Sequence, residues 1–209
     1  MKVDKPKLAY ELANGDASWF QSGREEIDGV KFTGIELPAD IYKAEINSCI
    51  LEGCVLSGEL DKVTIADCII KDCDCSNVRF SSGSFIRTQW IGCKLMGCDF
   101  SGVSLFHTTF ERCNTEYANF TETVWKKAQF LNCKMESSVF NDSKLTDGEF
   151  VNCNLSCSEF LHAPLKGMDF TSCEIGGIRL SGKELQGAIV TRYQAAGLAK
   201  LLGLRIKGE

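Results

Sequence analysis

The sequence predicts an all-β solenoid whose coils have four sides, and two regular spacings support this prediction. The first is a period of five in large apolar residues, with an aromatic residue at every tenth position. These aromatic positions are Phe80, Trp90, Phe100, Phe110, Phe120, Phe130, Phe140, Phe150, Phe160 and Phe170. Neither an α-helix, with 3.6 residues per turn, nor a flat strand, with a period of two, repeats at five. A longer fixed period instead indicates coils that bury their apolar residues against neighbouring coils.

The second spacing is a row of cysteines twenty residues apart, which sets the length of one coil. The row consists of Cys73, Cys93, Cys113, Cys133, Cys153 and Cys173. Each of these cysteines precedes a position of the five-residue series by two residues. Twenty residues therefore form four five-residue units, and residues twenty apart should stack at the strand spacing of about 4.8 Å. We expect the cysteine row and the aromatic positions to be buried.

These units resemble the repeat of the pentapeptide repeat family, which has the pattern A(D/N)Lxx. The best matches are Ala118-Asn119-Phe120, Cys98-Asp99-Phe100, Cys133-Lys134-Met135 and Cys153-Asn154-Leu155. The resemblance implies a right-handed quadrilateral β-helix, in which the central Leu or Phe and the small residue two before it point inward. It implies little about function, because one fold can carry many unrelated functions.

The repeat is predicted to span residues 27–190, between an N-terminal cap at residues 1–26 and a C-terminal segment at residues 191–209. Within the repeat, the phase of the five-residue series shifts near Pro38 and again within residues 57–64. An irregular corner of the coil is the simplest interpretation of each shift. A recognition loop at residues 57–64 is the alternative, since loops on rigid scaffolds often carry function.

The N-terminal cap is predicted to contain a short helix. Asp4 is a suitable N-cap, Pro6 suits the first helical turn, and Asn14-Gly15 would end the helix. Such a cap would cover the apolar surface and the strand edges of the first coil. A partner-binding arm is the alternative.

The C-terminal segment resembles that of the Qnr-type and mycobacterial gyrase-protecting members of the family, in which it forms a two-fold dimer. The matching stretches are Leu185-Gln186-Gly187-Ala188-Ile189-Val190, Tyr193-Gln194-Ala195-Ala196 and Leu201-Leu202-Gly203-Leu204. Thr191 predicts the start of a helix that Gly203 ends, followed by a short strand. The resemblance implies a homodimer, with a monomeric cap as the alternative. The predicted dimerisation residues are Tyr193, Leu198, Leu201, Leu202, Leu204 and Ile206.

Composition argues against several classes of protein. The net charge of −5 disfavours a broad nucleic-acid-binding face, so no direct contact with nucleic acid is expected. The sequence contains no apolar run long enough to span a membrane and no apolar signal region near its start. We therefore expect no membrane association and a cytoplasmic location, in which the cysteines stay reduced.

No catalytic residue, cofactor site or metal ligand is predicted. The two histidines, His107 and His162, are not accompanied by a nucleophile–base pattern or a phosphate-binding loop. Zinc needs four converging ligands, whereas stacked thiols would lie in parallel about 4.8 Å apart. The sequence therefore predicts a protein that is not an enzyme.

The late coils are predicted to carry a partner-binding surface, because residues 136–174 contain seven carboxylates against two lysines. Asp147, Glu149, Glu159 and Asp169 are the predicted contact residues. On a rigid rod, such charges could imitate duplex DNA. Together with the C-terminal resemblance, this predicts a DNA mimic that binds DNA gyrase or topoisomerase IV and modulates it, including protection against quinolones. The alternatives are a solvated acidic face and a scaffold β-helix with another protein partner.

Overall fold

The computed structural model describes residues 1–20, 25–38 and 40–207, except for the side chain of Leu202. Most of its regular structure is short β-strand wound into a solenoid, which confirms the predicted fold class. The strands are β1 Ala13–Asn14, β2 Glu26–Asp28, β3 Val30–Thr33, β4 Ile41–Tyr42, β5 Glu45–Asn47, β6 Ile50–Glu52, β7 Leu60–Asp61, β8 Thr64–Ala66, β9 Ile69–Lys71, β10 Ser84–Ile86, β11 Gln89–Ile91, β12 Ser104–Phe106, β13 Thr109–Glu111, β14 Val124–Leu131 and β15 Lys144–Val151. The described helices are α1 Arg192–Ala199 and the 3-10 helices Ala17–Phe20, Lys183–Leu185 and Lys200–Leu202.

Strands of successive coils pair in parallel, as the twenty-residue spacing predicts. Leu105 of β12 lies beside Phe85 of β10, and Phe110 of β13 lies beside Phe130 of β14. Because neighbouring residues of a strand point to opposite sides, the middle residue of each three-residue strand faces the core. In β12, Leu105 is buried while the residues on either side of it are partly exposed.

Each coil has four faces, which are numbered here in chain order. The first face contains β2, β5, β8, β10, β12 and the first halves of β14 and β15. The second face contains β1, β3, β6, β9, β11, β13 and the second halves of β14 and β15. Isolated parallel bridges hold the third face, such as Lys94 with Asn114, and the fourth face, such as Asp99 with Asn119.

Backbone with positive φ turns the chain at the corners between these faces. The first corner, between the first and second faces, is the column Gly29, Ser48, Asp67, Arg87, His107, Lys127 and Asp147, with φ between 51° and 68°. The third corner, between the third and fourth faces, includes Tyr117, with φ 60°. Left-handed backbone is unfavourable for most L-residues. Its repetition here reflects a turn that every coil needs.

Two aromatic columns fill the centre of the solenoid. On the fourth face, the rings of Phe80, Phe100, Phe120, Phe140 and Phe160 stack with centroids 4.8 to 5.0 Å apart. On the second face, Trp90, Phe110, Phe130, Phe150 and Phe170 stack with centroids 4.5 to 6.0 Å apart. The two columns meet edge to face, as the ring quadrupoles favour. All ten residues are at most 2% exposed, which confirms their predicted burial.

The cysteine row is also buried, as predicted, and its thiols are free. Each Sγ lies near a carbonyl oxygen of the preceding coil. The Cys113 Sγ is 3.4 Å from the carbonyl oxygen of Trp90, and the Cys133 Sγ is 3.4 Å from that of Phe110. Cysteine therefore acts here as a small residue that packs well and donates a weak hydrogen bond.

At each of the two phase shifts, the segment that leads from the third face to the fourth face is one residue shorter than in the other coils. The inward residues Leu37 and Ile41 are four positions apart, as are Leu56 and Leu60, whereas five positions separate the others. Consequently the pairing offset is nineteen residues from β2 to β5 and twenty from β8 to β10. β7 begins directly after the second shortening and pairs with β4. The described part of this segment is thus a tightened corner and not a protruding loop.

The N-terminal helix predicted from Asp4 is wrong. Residues 1–9 have no regular secondary structure and run along the outside of the solenoid, before β1 pairs with β3. A helix this short is marginal in water without tertiary contacts. In the extended form, the backbone N–H of Lys7 instead donates to the Asp67 Oδ1 at 2.9 Å. The helix near this end is the 3-10 turn Ala17–Phe20, whose Phe20 ring packs on Phe32.

Candidate protein-binding surfaces

The four carboxylates predicted to contact a partner do not share one face. Asp147 lies at the first corner, and Glu149 and Asp169 lie one coil apart on the second face. Glu159 lies on the fourth face, where it bridges to Arg179. The structure therefore brings three of the four residues together and places Glu159 on the opposite side of the solenoid.

Hydrogen bonds hold two of these carboxylates in place. The Glu149 Oε2 accepts from the Gln129 Nε2 at 2.5 Å and lies 3.4 Å from the Met1 amino group. The Asp169 Oδ1 accepts from the Thr171 hydroxyl at 2.6 Å and from its backbone N–H at 2.8 Å. These two hydrogen bonds lower the pKa of Asp169. The Asp169 carboxylate therefore remains charged at neutral pH.

Cations accompany the other two predicted residues. Glu159 forms an ion pair with Arg179 and accepts from the Asn141 Nδ2 at 3.2 Å. Asp147 shares a shallow surface hollow with Lys144 and Lys166. The Met1 amino group likewise accompanies Glu149, so the negative charge most available to a partner is that of Asp169.

A second pair of stacked carboxylates was not found from the sequence. Glu116 and Glu136 lie one coil apart on the third face, each partly exposed. The Asn114 Nδ2 donates to the Glu116 Oε2 at 3.1 Å, and Tyr117 beside it is 66% exposed. The spacing of twenty residues between Glu116 and Glu136 is the signal that could have identified this pair.

The histidines lie at different corners and face different carboxylates. His107 lies at the first corner near Asp4, whereas the His162 Nδ1 is 3.0 Å from the Asp142 Oδ1. Among the residues that the structure describes, no cluster of three or more His, Cys, Asp or Glu side chains is placed to hold a metal ion. The same residues include no helix long and apolar enough to cross a bilayer.

The helix predicted after Thr191 is confirmed and closes the last coil. The Thr191 Oγ1 accepts from the Gln194 backbone N–H at 3.2 Å, and the Gln194 Oε1 accepts from the Thr191 N–H at 2.8 Å. This reciprocal pair is a capping box. The Gln194 Nε2 also donates to the carbonyl oxygens of Phe170 and Cys173, at 2.7 and 2.8 Å. Gln194 therefore caps both its own helix and the end of the solenoid.

The C-terminal end exposes much of the predicted dimerisation surface. Four of the six predicted residues are 44% to 81% exposed: Tyr193, Leu201, Leu204 and Ile206. Leu198 is buried with the core, so it attaches the helix to the last coil and does not face solvent. The side chain of Leu202 lies outside the described part of the chain. Residues 204–206 form no strand in the single chain.

Comparison with known families gives a clear assignment. The family profile described as "Pentapeptide repeat region" matches residues 44–120 and 123–198, which is more than half of the chain. The chain belongs to the pentapeptide repeat family. β-Solenoids of this family are generally non-catalytic.

Solved pentapeptide repeat structures resemble the chain in fold. Full-length QnrB1, described as a plasmid-mediated fluoroquinolone resistance protein, is 24% identical over 91% of this chain and 95% of its own, with a TM-score of 0.42. A trypsin-treated QnrB1 variant is 22% identical over 94% of this chain and 98% of its own, with a TM-score of 0.48. HetL from the cyanobacterium Nostoc sp. strain PCC 7120, described as involved in heterocyst differentiation regulation, is 15% identical over 82% of this chain and 90% of its own, with a TM-score of 0.39. No curated protein sequence matches significantly.

These similarities concern the fold alone, because a pentapeptide repeat solenoid can serve unrelated functions. The inward side chains of such a solenoid are buried and pack against one another, so they cannot contact a partner. Function must therefore reside in the outward columns, the corners and the two ends. In this chain, the outward features with a distinct chemistry are the stacked carboxylates and the apolar C-terminal end.

Proposed function

We propose that this pentapeptide repeat protein imitates duplex DNA and binds the DNA-binding surface of DNA gyrase or topoisomerase IV, thereby modulating the enzyme. The observation that carries this proposal is the stacking of outward carboxylates on a rigid scaffold, with Glu149 and Asp169 in one column and Glu116 and Glu136 in another; Asp169 is exposed and the other three are partly exposed. Stacked coils present such charges about 4.8 Å apart. A regular anionic surface attracts proteins whose own surface is basic because it binds DNA.

The exposed C-terminal end supports the same proposal. A two-fold axis through Tyr193, Leu201, Leu204 and Ile206 would bring each apolar residue against its own copy or a neighbour, and so remove it from water. Each solenoid is roughly 40 Å long at the strand spacing. A homodimer would double the length of the charged rod.

The choice of partner follows from the resemblance of residues 185–204 to gyrase-protecting members of the family. Protection of the enzyme against quinolones is the proposed consequence. Quinolones act on the enzyme while it is bound to DNA, and a protein that occupies the DNA-binding surface competes with that DNA. Free thiols and a DNA-bound partner both fit a cytoplasmic protein.

The test is a supercoiling assay with purified gyrase, with and without a quinolone, over a range of protein concentrations. The protein should change supercoiling or quinolone sensitivity, and its binding should compete with DNA and weaken as salt rises. Unchanged supercoiling and unchanged drug sensitivity at a large molar excess would favour a scaffold with another partner.

Charge reversal on the second face provides the matched comparison. Glu149→Lys with Asp169→Lys should weaken binding at least about tenfold, which corresponds to about 1.4 kcal/mol. Glu26→Lys with Glu45→Lys is the control, because these two exposed residues are also stacked but lie at the other end of the solenoid. Equal effects of the two pairs would indicate a response to net charge and not to this surface.

A further inference from the structure

The N-terminal arm, residues 1–9, lies along the first corner and crosses most of the solenoid. At one end, the Ala9 Cβ is 3.9 Å from the position that a Cβ on Gly29 would occupy. At the other end, Met1 lies beside Gln129 and Glu149. Six coil steps of about 4.8 Å make roughly 29 Å. Eight residue steps reach about 26 to 29 Å only when fully extended, so the arm is stretched nearly straight.

Main-chain groups of the arm bind side chains of the corner. The backbone N–H of Lys7 donates to the Asp67 Oδ1 at 2.9 Å, and the Ser48 hydroxyl lies 3.4 Å from the Lys7 carbonyl oxygen. Both polar groups of one peptide residue are therefore satisfied at this point. The corner thus offers both a donor and an acceptor to the main chain of an extended segment.

The same type of contact recurs toward Met1. The backbone N–H of Asp4 donates to the His107 Nδ1 at 2.9 Å. The Gln129 Nε2 donates to the Met1 carbonyl oxygen at 3.2 Å. Contacts to main-chain atoms at several coils are the way in which grooves recognise extended peptides.

Three side chains of the arm are partly shielded from solvent. Val3, Pro6 and Leu8 are half-buried, although they belong to a segment without secondary structure. Half-buried apolar residues also face outward on the two adjoining faces, among them Ile50, Ile69, Ile86 and Phe106. Apolar side chains are therefore present both on the arm and on the faces beside it.

Two ionic contacts join the arm to this surface. The Met1 amino group lies 3.4 Å from the Glu149 Oε2, and the Asp4 Oδ2 lies 3.3 Å from the His107 Nδ1. The corner itself carries charges of both signs, with Asp67 and Asp147 beside Arg87 and Lys127. The Met1 end of the arm therefore occupies Glu149, a carboxylate that a basic partner would also contact.

We propose that the first corner is a docking groove for an extended peptide segment, and that the N-terminal arm is its resident occupant. While bound, the arm competes with a basic partner for Glu149 and the neighbouring Asp147. The groove is inferred from the contacts of the arm alone, whereas competition between the arm and a partner rests on the proposed function. When a binding-competent state is only partly populated, the apparent affinity falls by that fraction. Release of the arm should therefore strengthen partner binding.

A full-length variant with a released arm tests the groove. In Val3→Asp with Leu8→Asp, two half-buried apolar side chains are replaced by carboxylates, whose burial is costly. The solenoid should remain folded, because the arm lies outside it. The control is Tyr10→Asp, since Tyr10 is fully exposed. Trypsin should cut after Lys7 at least about tenfold faster in the double variant than in the native protein or the control.

A synthetic peptide of residues 1–9 with a fluorescent label gives the direct measurement. Its anisotropy should rise saturably with the released-arm variant and stay low with the native protein, whose own arm has a high effective concentration. A peptide with a methyl group on the Lys7 backbone nitrogen lacks the donor to Asp67 and should bind at least about tenfold more weakly. His107→Phe in the released-arm variant should also weaken binding, whereas His162→Phe should not.

The outcomes separate the groove from the partner. If the unmodified and methylated peptides bind the released-arm variant equally, or neither binds, the groove is overturned whatever gyrase does. If the peptide binds but the released-arm variant and the native protein bind gyrase equally, the competition is overturned and the groove stands. If gyrase binds no form of the protein while the peptide does, the proposed function fails and the groove remains.

Discussion

The rings of Phe110 and Phe130 lie on adjacent coils with centroids 4.5 Å apart and planes within 6° of parallel. Phe130 also contacts Phe150 above it, Phe120 edge to face, and Trp125. Each of these rings is buried. Phe130 thus joins both aromatic columns at the middle of the solenoid, so its removal would affect several coils.

Phe130→Ala should lower the free energy of unfolding by about 3–5 kcal/mol, because it leaves a cavity among rings that cannot all collapse into it. Since a solenoid couples mainly nearest neighbours, the loss should be greatest in the adjacent coils. Urea unfolding followed by circular dichroism measures the global effect, and hydrogen exchange locates it.

The control for Phe130 is its neighbour Leu131, which faces outward on the same strand and is half-buried. Leu131→Ala should cost about 1 kcal/mol or less. A Phe130→Ala protein as stable as Leu131→Ala would contradict the inward position of the ring.

The core could be predicted because a residue's environment in a solenoid depends on its position within the coil. Phe110 and Phe130 occupy the same position, and so do Cys113 and Cys133. Once the twenty-residue period was recognised, the burial of one residue of each pair predicted the burial of the other. The two shortened coils before Leu60 were also visible as shifts of that period.

The N-terminal arm could not be predicted in the same way. Val3, Pro6 and Leu8 suit a short helix as well as an extended segment. Its deciding partners are Asp67 and His107, 60 and 103 residues away from Lys7 and Asp4. Local sequence contains no information about contacts at such a distance.

The prediction that four carboxylates form one acidic surface was wrong for Glu159, and the reason is geometric. Asp147 and Glu159 are close in the sequence, but a coil of twenty residues passes through all four faces. Charges that are clustered along the chain are therefore spread around the solenoid. Only residues about twenty apart, such as Glu149 and Asp169, share a surface column.

Thiol labelling tests the burial of the cysteines. Of the twelve cysteines, Cys157 is exposed and the others are buried. Burial raises the pKa of Cys98 to about 12, which leaves little reactive thiolate at neutral pH. One thiol per chain should react rapidly in the native protein, and the rest should react only after denaturant is added.

Cys157→Ser identifies the rapid thiol, because it should abolish the fast phase and leave the slow one unchanged. Fast labelling of several thiols in the native protein would show that the cysteine row is not inward.

Glu184 should make the last coil sensitive to acid. Its buried carboxylate accepts from the backbone N–H groups of His162 and Ser181, each at 3.0 Å, and from the Ser181 hydroxyl. Burial alone would raise the pKa of Glu184, but hydrogen bonds from its own backbone N–H and from these donors outweigh burial and lower it to about 2. An unfolded glutamate has a pKa of about 4.3. The stabilisation is therefore complete above about pH 4.3 and is lost as the pH falls through about 2.

Glu184→Gln should cost about 1–3 kcal/mol at pH 7, because an amide cannot accept all of these hydrogen bonds. The difference in unfolding free energy from the native protein should shrink as the pH is lowered from 5 to 2. Glu174→Gln, at an exposed site on the third face half a coil earlier, should change stability by less than about 0.5 kcal/mol. A Glu184→Gln difference that does not vary with pH would contradict the role assigned to the carboxylate.

The exposed C-terminal residues should mediate homodimer formation. Leu204 and Ile206 are 57% and 44% exposed beyond the capped helix, and an edge segment of this kind can pair with its own copy about a two-fold axis. Light scattering at micromolar concentration should give about twice the 23.1 kDa of one chain. Leu204→Asp with Ile206→Asp should give the monomer with unchanged circular dichroism, since neither side chain belongs to the core.

Two comparisons make the dimer prediction specific. Val55→Asp introduces a charge at an apolar residue that is 42% exposed on the third face, and it should leave the dimer intact. Leu198→Ala removes a buried side chain that attaches helix α1 to the last coil, so it should loosen the helix and lower stability in addition to weakening the dimer. If light scattering shows the native chain as a single species of 23.1 kDa at these concentrations, the dimer prediction is wrong. The C-terminal end is then a monomeric cap.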